Sequence, residues 1–289
     1  MKNEDEGVYF VLSPDATIRA VWDLTLFAAI VYQSLCLPMR IAFEMSTGDF
    51  LFYLEMVIDT MFIGDVILNF NTGFYISNYV IKRRLLIAKD YCKFWFWIDL
   101  VSSIPYTWIL AASQGINIKM IESDEAMEQM GLSANMANAP SLLRMLKIAK
   151  LLKMLKLLRV MKLKKIIQKF DEYVVTDSMD LLVTFANLTI KIIIIAHYMS
   201  CIFYYIGNEE MKVNQKGWVF KRDLHMKPMG TKYITSMYWA FTTMSAVGYG
   251  DICPTTRDEM FVTIICMITS CGTFAYIVNR IGTVVMEFN

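Results

Sequence analysis

Between residues 144 and 165 a basic side chain stands at every third position: Arg144, Lys147, Lys150, Lys153, Lys156, Arg159, Lys162 and Lys165, with Leu, Met, Ile and Val between them. On a helix of 3.6 residues per turn successive members advance by about 300°, so the charges wind around it as a spiral stripe. A helix lying on a membrane surface, or a soluble helix with one wet face, would keep its charge on one side by alternating steps of three and four. Strict threes predict instead a stripe that slides past fixed partners. An unpaired charge inside a bilayer costs from a few to more than about ten kcal/mol, so those partners have to be acids at the same depth. The sequence places them inside apolar runs: Asp23, then Glu55, Asp59 and Asp65, then Asp99. Asp59 and Asp65 flank Phe62 in DTMFIGD, which predicts a ring plugging a water path and acids that receive one cation at a time. The chemistry is the movement of charge through an electric field, at about 2.3 kcal/mol per charge per 100 mV; three charges in each of four copies would amount to about 28 kcal/mol. Static salt bridges would use the same acids without motion. Lysine outnumbers arginine in the stripe, and its strongly hydrated ammonium makes each transfer step slower or more costly.

A second candidate is TTMSAVGYGD, Thr242 to Asp251, whose glycines permit backbone torsions that other residues resist. To position both groups the chain needs lipid around it: 56% of its 289 residues are hydrophobic and its mean hydropathy is +0.42. A net charge of +1 hides a segregation in which basic residues form runs and acids stand singly in apolar stretches or in one loop. A hydrocarbon core of about 30 Å takes roughly 20 residues of helix. Runs at 17–39, 50–71, 93–112, 141–163, 181–207 and 259–287 approach that length, and one at 231–244 is half as long. Irregular backbone at membrane depth is tolerated only where protein buries it or it lines a water-filled path. The expectation is an all-α membrane protein with six transmembrane helices and one re-entrant segment. Lys82, Arg83 and Arg84, and Lys162, Lys164, Lys165 and Lys169, set the cytoplasmic side. Both termini then lie inside, and Glu122, Asp124, Glu125, Glu128 and the loop 208–230 lie outside. Pro38 and Pro105 fall in or at the ends of spans, where a neighbouring helix satisfies the freed carbonyl. The opening MKNEDEGVYF lacks the pattern of a cleaved signal peptide.

With these elements in place the chain resembles voltage-gated potassium channels of the superfamily that holds the ether-à-go-go, plant inward-rectifier, hyperpolarisation-activated and cyclic-nucleotide-gated channels. VWDL at 21–24, LEMVIDTMFIGDVILNF at 54–70, WFWIDLVSSIPY at 95–106 and IAHYMSCIFYYIGN at 195–208 each resemble ether-à-go-go segments, in order and across nearly the whole chain. The resemblance implies a cytoplasmic segment at 1–16, a four-helix voltage-sensor domain at 17–165, a short linker at 166–180 and a pore domain at 181–289, with a pore helix at 231–244. So short a linker implies a tetramer without domain swapping, each sensor packed on its own subunit's pore. In that family the filter carbonyls replace an ion's hydration shell. The matching residues are Ala246, Val247, Gly248, Tyr249 and Gly250, with K+ as the permeant ion at their carbonyls and no other cofactor. Tyr238 and Trp239 match aromatic positions that buttress the filter, and Asp251 stands at its outer end as a hydrogen-bond partner. FAYIVNRIG implies an inner gate at Phe274 and Val278, four apart on one face, with Gly272 as a bending point; ordinary helix packing would account for the same residues.

One residue departs from the pattern. Potassium filters usually carry threonine or serine where Ala246 stands, and that hydroxyl helps form the innermost ion site. The expected function is the pore-forming subunit of a voltage-gated, potassium-selective channel in the cell membrane, multi-pass, homotetrameric or heterotetrameric with related subunits. The alternative is a weakly selective cation channel of the hyperpolarisation-activated type; more distant readings are a sensor without a pore and a non-conducting structural subunit. Cyclic nucleotide is expected as a partner only where a binding domain follows Asn289, and nucleic acid is not expected. Six cysteines without a CxxC pair read as small buried hydrophobes, and His197 as a hydrogen-bonded core residue. The acceptor pattern Asn187-Leu188-Thr189 lies inside a span, and GYGDIC lacks the third glycine of a dinucleotide fingerprint. No arrangement for catalysis is present, so an enzyme is not expected.

Overall fold

In the computed structural model, which describes residues 11–45, 48–76, 79–106, 108–109, 112, 152–163 and 180–287, the chain divides into two units. One comprises residues 1–34 and 46–172, the other 35–45 and 173–289.

In the first unit, α1 (Thr17–Phe43, shared with the second unit) and α2 (Asp49–Phe70) carry the apolar runs expected of them. They enclose a small core of Leu26, Ala29, Ile30, Ile58 and Phe62. Two short strands follow, β1 (Phe74–Ile76) and β2 (Tyr79–Ile81), paired antiparallel with Tyr75 opposite Val80. They were not expected from the sequence, although FYISNYVI is rich in the aromatic and β-branched residues that suit a pleated surface. Helix α3 (Arg84–Cys92) leads to α4 (Trp95–Ser103). The run expected to continue unbroken from 93 to 112 breaks at Ile104, which is extended at φ −62°, ψ 123°. The ring of Pro105 disfavours helical torsions in the residue before it. Helical bonding resumes beyond the break, where Trp108 and Ile109 donate to the Pro105 carbonyl at 3.0 and 3.1 Å.

The basic stripe is described from Leu152 to Leu163, and here the structure corrects the helix type. Lys153–Arg159 is a 3₁₀ helix rather than an α-helix. At three residues per turn, side chains at i and i+3 eclipse one another, so Lys153, Lys156 and Arg159 form a straight row and not a spiral. Arg144, Lys147 and Lys150 lie outside the described residues.

The second unit is built on α5 (Asp180–Asn214), α6 (Trp218–Lys221), α7 (Met229–Met244) and α8 (Arg257–Glu287). At 35 residues α5 is about 52 Å long and outruns the span expected at 181–207. Helix α7 begins two residues earlier than expected, because the Pro228 carbonyl already accepts from Thr231 and Lys232 at 3.0 and 3.2 Å. The core centres on three stacked rings: Phe203 lies 3.6 Å from Trp239 and 4.6 Å from Trp218, centroid to centroid. The C-terminal turns of α1 join this unit through Phe43, stacked on Tyr204 at 4.3 Å. Pro38 interrupts the hydrogen bonding of those turns, and His197 answers nearby by donating from Nε2 to the Leu35 carbonyl at 3.0 Å. Its Nδ1 lies 3.0 Å from the Tyr233 hydroxyl, which makes His197 the hydrogen-bonded core residue that was expected. Of the cysteines, Cys201 and Cys266 are buried, but Cys92, Cys253 and Cys271 are exposed, against expectation.

Glu259 ties the start of α8 to the rest of the unit. Thr256 and Glu259 form a capping box: Glu259 N–H donates to the Thr256 hydroxyl at 3.4 Å, and Thr256 N–H donates back to Glu259 Oε2 at 3.1 Å. Thr255 N–H adds a bond to the same oxygen at 2.7 Å, while Oε1 accepts from Trp218 N–H at 3.0 Å. The preceding residue has to be glycine, since Gly217 is at φ 101° and a Cβ there would stand 2.5 Å from Glu259 Oε1. Glu259→Ala strands these buried donors and is expected to lower unfolding stability by about 3 kcal/mol. Thermal melts of the purified protein check this, with Asp258→Ala, an exposed neighbour, as the control expected to melt like the parent.

Candidate functional site

The basic row and the set Asp59, Phe62 and Asp65 of α2 share a spacing of three. Lys156 Nζ lies 2.6 Å from Asp59 Oδ2, the Arg159 guanidinium lies 3.7 Å from the centroid of the Phe62 ring, and Lys162 Nζ lies 2.8 Å from Asp65 Oδ2. Lys162 also reaches Asp99 Oδ1 at 2.7 Å, so α2 and α4 hold it jointly. Arg159 is 1% exposed and donates to Gln33 Oε1 at 2.9 Å and to the Ser102 carbonyl at 2.5 Å. Its planar fork suits that position, because it stacks on an aromatic face and bonds sideways at once, which a lysine ammonium does not. Asp59 Oδ1 lies 3.8 Å from the same guanidinium. The row is thus seated with one cation before Phe62, one on it and one beyond. On a 3₁₀ helix the next cation stands about 6 Å away, so one step of that length presents a new charge to each seat.

Asp23 pairs with Arg19 at 2.9 Å, and Arg19 also contacts Asp65 at 3.3 Å. Glu55 stands half-buried one turn before Asp59. The residues that complete the site were not singled out in the sequence. Trp22 Nε1 donates to Asp65 Oδ1 at 3.2 Å, Asn69 donates to Asp65 Oδ2 at 3.0 Å, and the Tyr91 hydroxyl donates to Asp99 at 2.5 Å. Arg19, by contrast, carried a readable signal, standing four residues before Asp23 on one helix face. Beside them is a cavity of about 220 Å³, lined by Arg19, Asp23, Asp65, Asp99 and Lys162 among others. The charged side chains among its walls suit water on that side of Phe62.

In the second unit, the end of α7 and the segment after it form the other candidate. Ala246, Gly248 and Gly250 are at φ 57°, 55° and 73°, so every second residue is left-handed. Ala246 N–H donates to the Thr243 carbonyl at 3.2 Å, and the N–H groups of Val247 and Gly248 donate to the Thr242 carbonyl at 3.0 and 3.1 Å. Amides are therefore turned to the helix end, and no carbonyl of residues 246–250 accepts a hydrogen bond among the described residues. A run of unoccupied carbonyl oxygens at the partially negative end of a helix attracts a cation. Left-handed torsion costs alanine about 1 kcal/mol and is rarer still for a β-branched residue, so the threonine of the common pattern would be more strained than alanine at 246.

The aromatic pair divides its work. Tyr238 lies parallel to Tyr249, with centroids 6.4 Å apart, and its hydroxyl lies near Asp251. Trp239 faces the other way, 3% exposed, in the stack with Phe203 and Trp218. Phe274 and Val278 are 52% and 54% exposed, so neither packs into the core of its own chain. Gly272 lines an apolar groove of about 450 Å³ between α5 and α8.

Helices Thr17–Phe43, Thr184–Asn214 and Arg257–Thr283 are long and apolar enough to cross a membrane. Together with the buried charges and the open carbonyls they define an all-α membrane protein of the channel class. The chain belongs to the ion transport protein family, which it matches over residues 19–289, and that membership makes it a channel protein and not an enzyme. Among its relatives are the voltage-gated inwardly rectifying potassium channel KCNH6 of Gallus gallus, 27% identical over an alignment of 297 positions that covers 93% of this chain and 22% of that protein. The potassium voltage-gated channel unc-103 of Caenorhabditis elegans is 25% identical over 298 aligned positions, covering 93% of this chain and 32% of the relative. The potassium voltage-gated channel protein eag of Drosophila melanogaster is 24% identical over 292 aligned positions, covering 93% and 22% respectively. The chain spans between a fifth and a third of the length of these relatives, and the resemblance to ether-à-go-go channels read from its motifs holds over that part.

Proposed function

We propose that the chain is the voltage-sensing and pore-forming part of a homotetrameric, potassium-selective channel of the cell membrane. It crosses the membrane six times, with α7 as a re-entrant pore helix. Residues 17–165 act as the sensor, 166–180 as the linker and 181–289 as the pore domain. The observation that carries this reading is the matched spacing in which Lys156, Arg159 and Lys162 meet Asp59, Phe62 and Asp65. A static bridge network has no need of an aromatic plug between its acids, nor of further cations in register behind it. Ala246 to Gly250, with open carbonyls and left-handed glycines, support a filter that takes K+ in place of its water. The exposed Phe274 and Val278 support a gate that closes against the same residues of other copies.

Ala246 favours a second reading, a weakly selective cation channel, because it removes the hydroxyl that would complete the innermost site. The reversal potential with potassium on one side of a bilayer and sodium on the other separates the two. Reversal at the potassium equilibrium potential is expected, and a value drawn strongly toward sodium would establish the second reading.

A further inference from the structure

We propose that Arg222 is a positioning residue for the outer end of the ion path, holding the backbone at Asp251 through a rigid arm that starts in the core of the unit. The proposal rests on reading residues 246–250 as that path. The Arg222 guanidinium donates to the main-chain carbonyl of Asp251 and lies 3.8 Å from its carboxylate. The two side chains are 42% and 43% exposed, and an exposed ion pair alone contributes little. The bond to the carbonyl is of a different kind, since it fixes the peptide that follows Asp251 and so restrains the backbone one residue beyond Gly250, at φ 73°.

Arg222 is in place because of what precedes it. Trp218, 1% exposed, is bound twice: its indole N–H donates to the Phe203 carbonyl at 3.2 Å and its amide to Glu259 at 3.0 Å. The single turn of α6 rises from that anchor, and Arg222 closes it by donating to the Trp218 carbonyl at 3.2 Å. Asp223, left-handed at φ 51°, then turns the chain away and leaves the Arg222 side chain directed at Asp251. On the opposite side the Tyr238 hydroxyl lies near the Asp251 carboxylate. Arg222 thus reaches Asp251 from the loop, and nothing in the GYGD motif announces it. Without the arm, Asp251 is free to shift, and the peptide before it can rotate and take the Gly250 carbonyl out of the path. A bound K+ opposes that rotation, because a ligand that binds one conformation stabilises it by mass action.

The test records current from the intact protein during long openings, at low and at high external potassium. With Arg222→Gln the current at low potassium should decline roughly five- to tenfold faster than in the parent, the weight of one charge-assisted hydrogen bond at a half-exposed site. High potassium should restore the parental rate. Arg222→Lys, which keeps charge but loses the fork, should lie between. Asp251→Asn, which keeps the carbonyl, should disturb the decline less than Arg222→Gln. A merely structural role would lower current equally at all potassium concentrations and leave its time course unchanged, and that result overturns the proposal. A parent protein that conducts no potassium at all would instead overturn the underlying reading of residues 246–250.

Discussion

Gly248→Ala is expected to suppress ionic current about a thousandfold while leaving the charge movement of the basic row intact. Space is not the reason, since a Cβ at Gly248 would meet nothing within 4 Å. The obstacle is torsional: φ is +55°, a conformation that costs an L-residue about 1 kcal/mol or more. Four copies around one path raise this to about 4 kcal/mol, and each 1.36 kcal/mol is a factor of ten in population. Ala246 already carries one such cost in every copy, which leaves the segment less margin for a second. Gly230→Ala makes the fair comparison, because its added methyl also meets nothing within 4 Å and no positive φ is involved. That variant should conduct like the parent. Current recorded in the same membrane as the sensor's charge displacement checks both halves, and loss of the two together would mean that Gly248 serves folding and not the path.

The second large effect is expected at Asp65. This carboxylate is 1% exposed and holds Lys162 at 2.8 Å, Arg19 at 3.3 Å, Trp22 at 3.2 Å and Asn69 at 3.0 Å. Removing one partner of a buried ion pair costs about 3–5 kcal/mol, since the other charge stays buried. Asp65→Asn leaves Lys162 paired with Asp99 and deprives Arg19 of part of its pairing. For three charges per copy, 100 mV corresponds to about 6.9 kcal/mol, so a loss confined to one seat of the row shifts the midpoint voltage by about 45–70 mV. Lys162→Met in the Asp65→Asn background should add less than its effect alone, as coupled neighbours do. Strict additivity would mean that the pair in the structure carries no energy. Midpoint voltages of the four proteins decide between these outcomes.

How much was legible follows from what a linear sequence can carry. The threes from Arg144 to Lys165 and the acids in apolar runs are one-dimensional signals, and they led directly to Asp59, Phe62 and Asp65 as one group. Hydrogen-bond register is not written in residue types, so the periodicity predicts an α-helix with a spiral stripe where Lys153–Arg159 forms a 3₁₀ turn with a straight row. Gln33, Asn69, Tyr91 and the Ser102 carbonyl join the site only through convergence of separate helices, and polar residues of their kind are common elsewhere in the chain. The break at Ile104 was readable from Pro105, but the apolar content on both sides outweighed it. In the second unit the glycines of GYGD stood out, whereas the left-handed torsion of Ala246 has no sequence sign. TRDE at 256–259 is readable as a capping box, yet nothing in it indicates that Glu259 also holds Trp218, and through it the loop that carries Arg222.

The account makes the basic row a moving charge, and the steepness of channel opening with voltage measures that movement directly. With the protein in a planar bilayer and potassium on both sides, the limiting slope of open probability should correspond to about 12 elementary charges, three from each of four copies. It should fall when Lys156 or Arg159 is replaced by glutamine. A conductance that does not change with voltage, or a slope indifferent to both replacements, would contradict it.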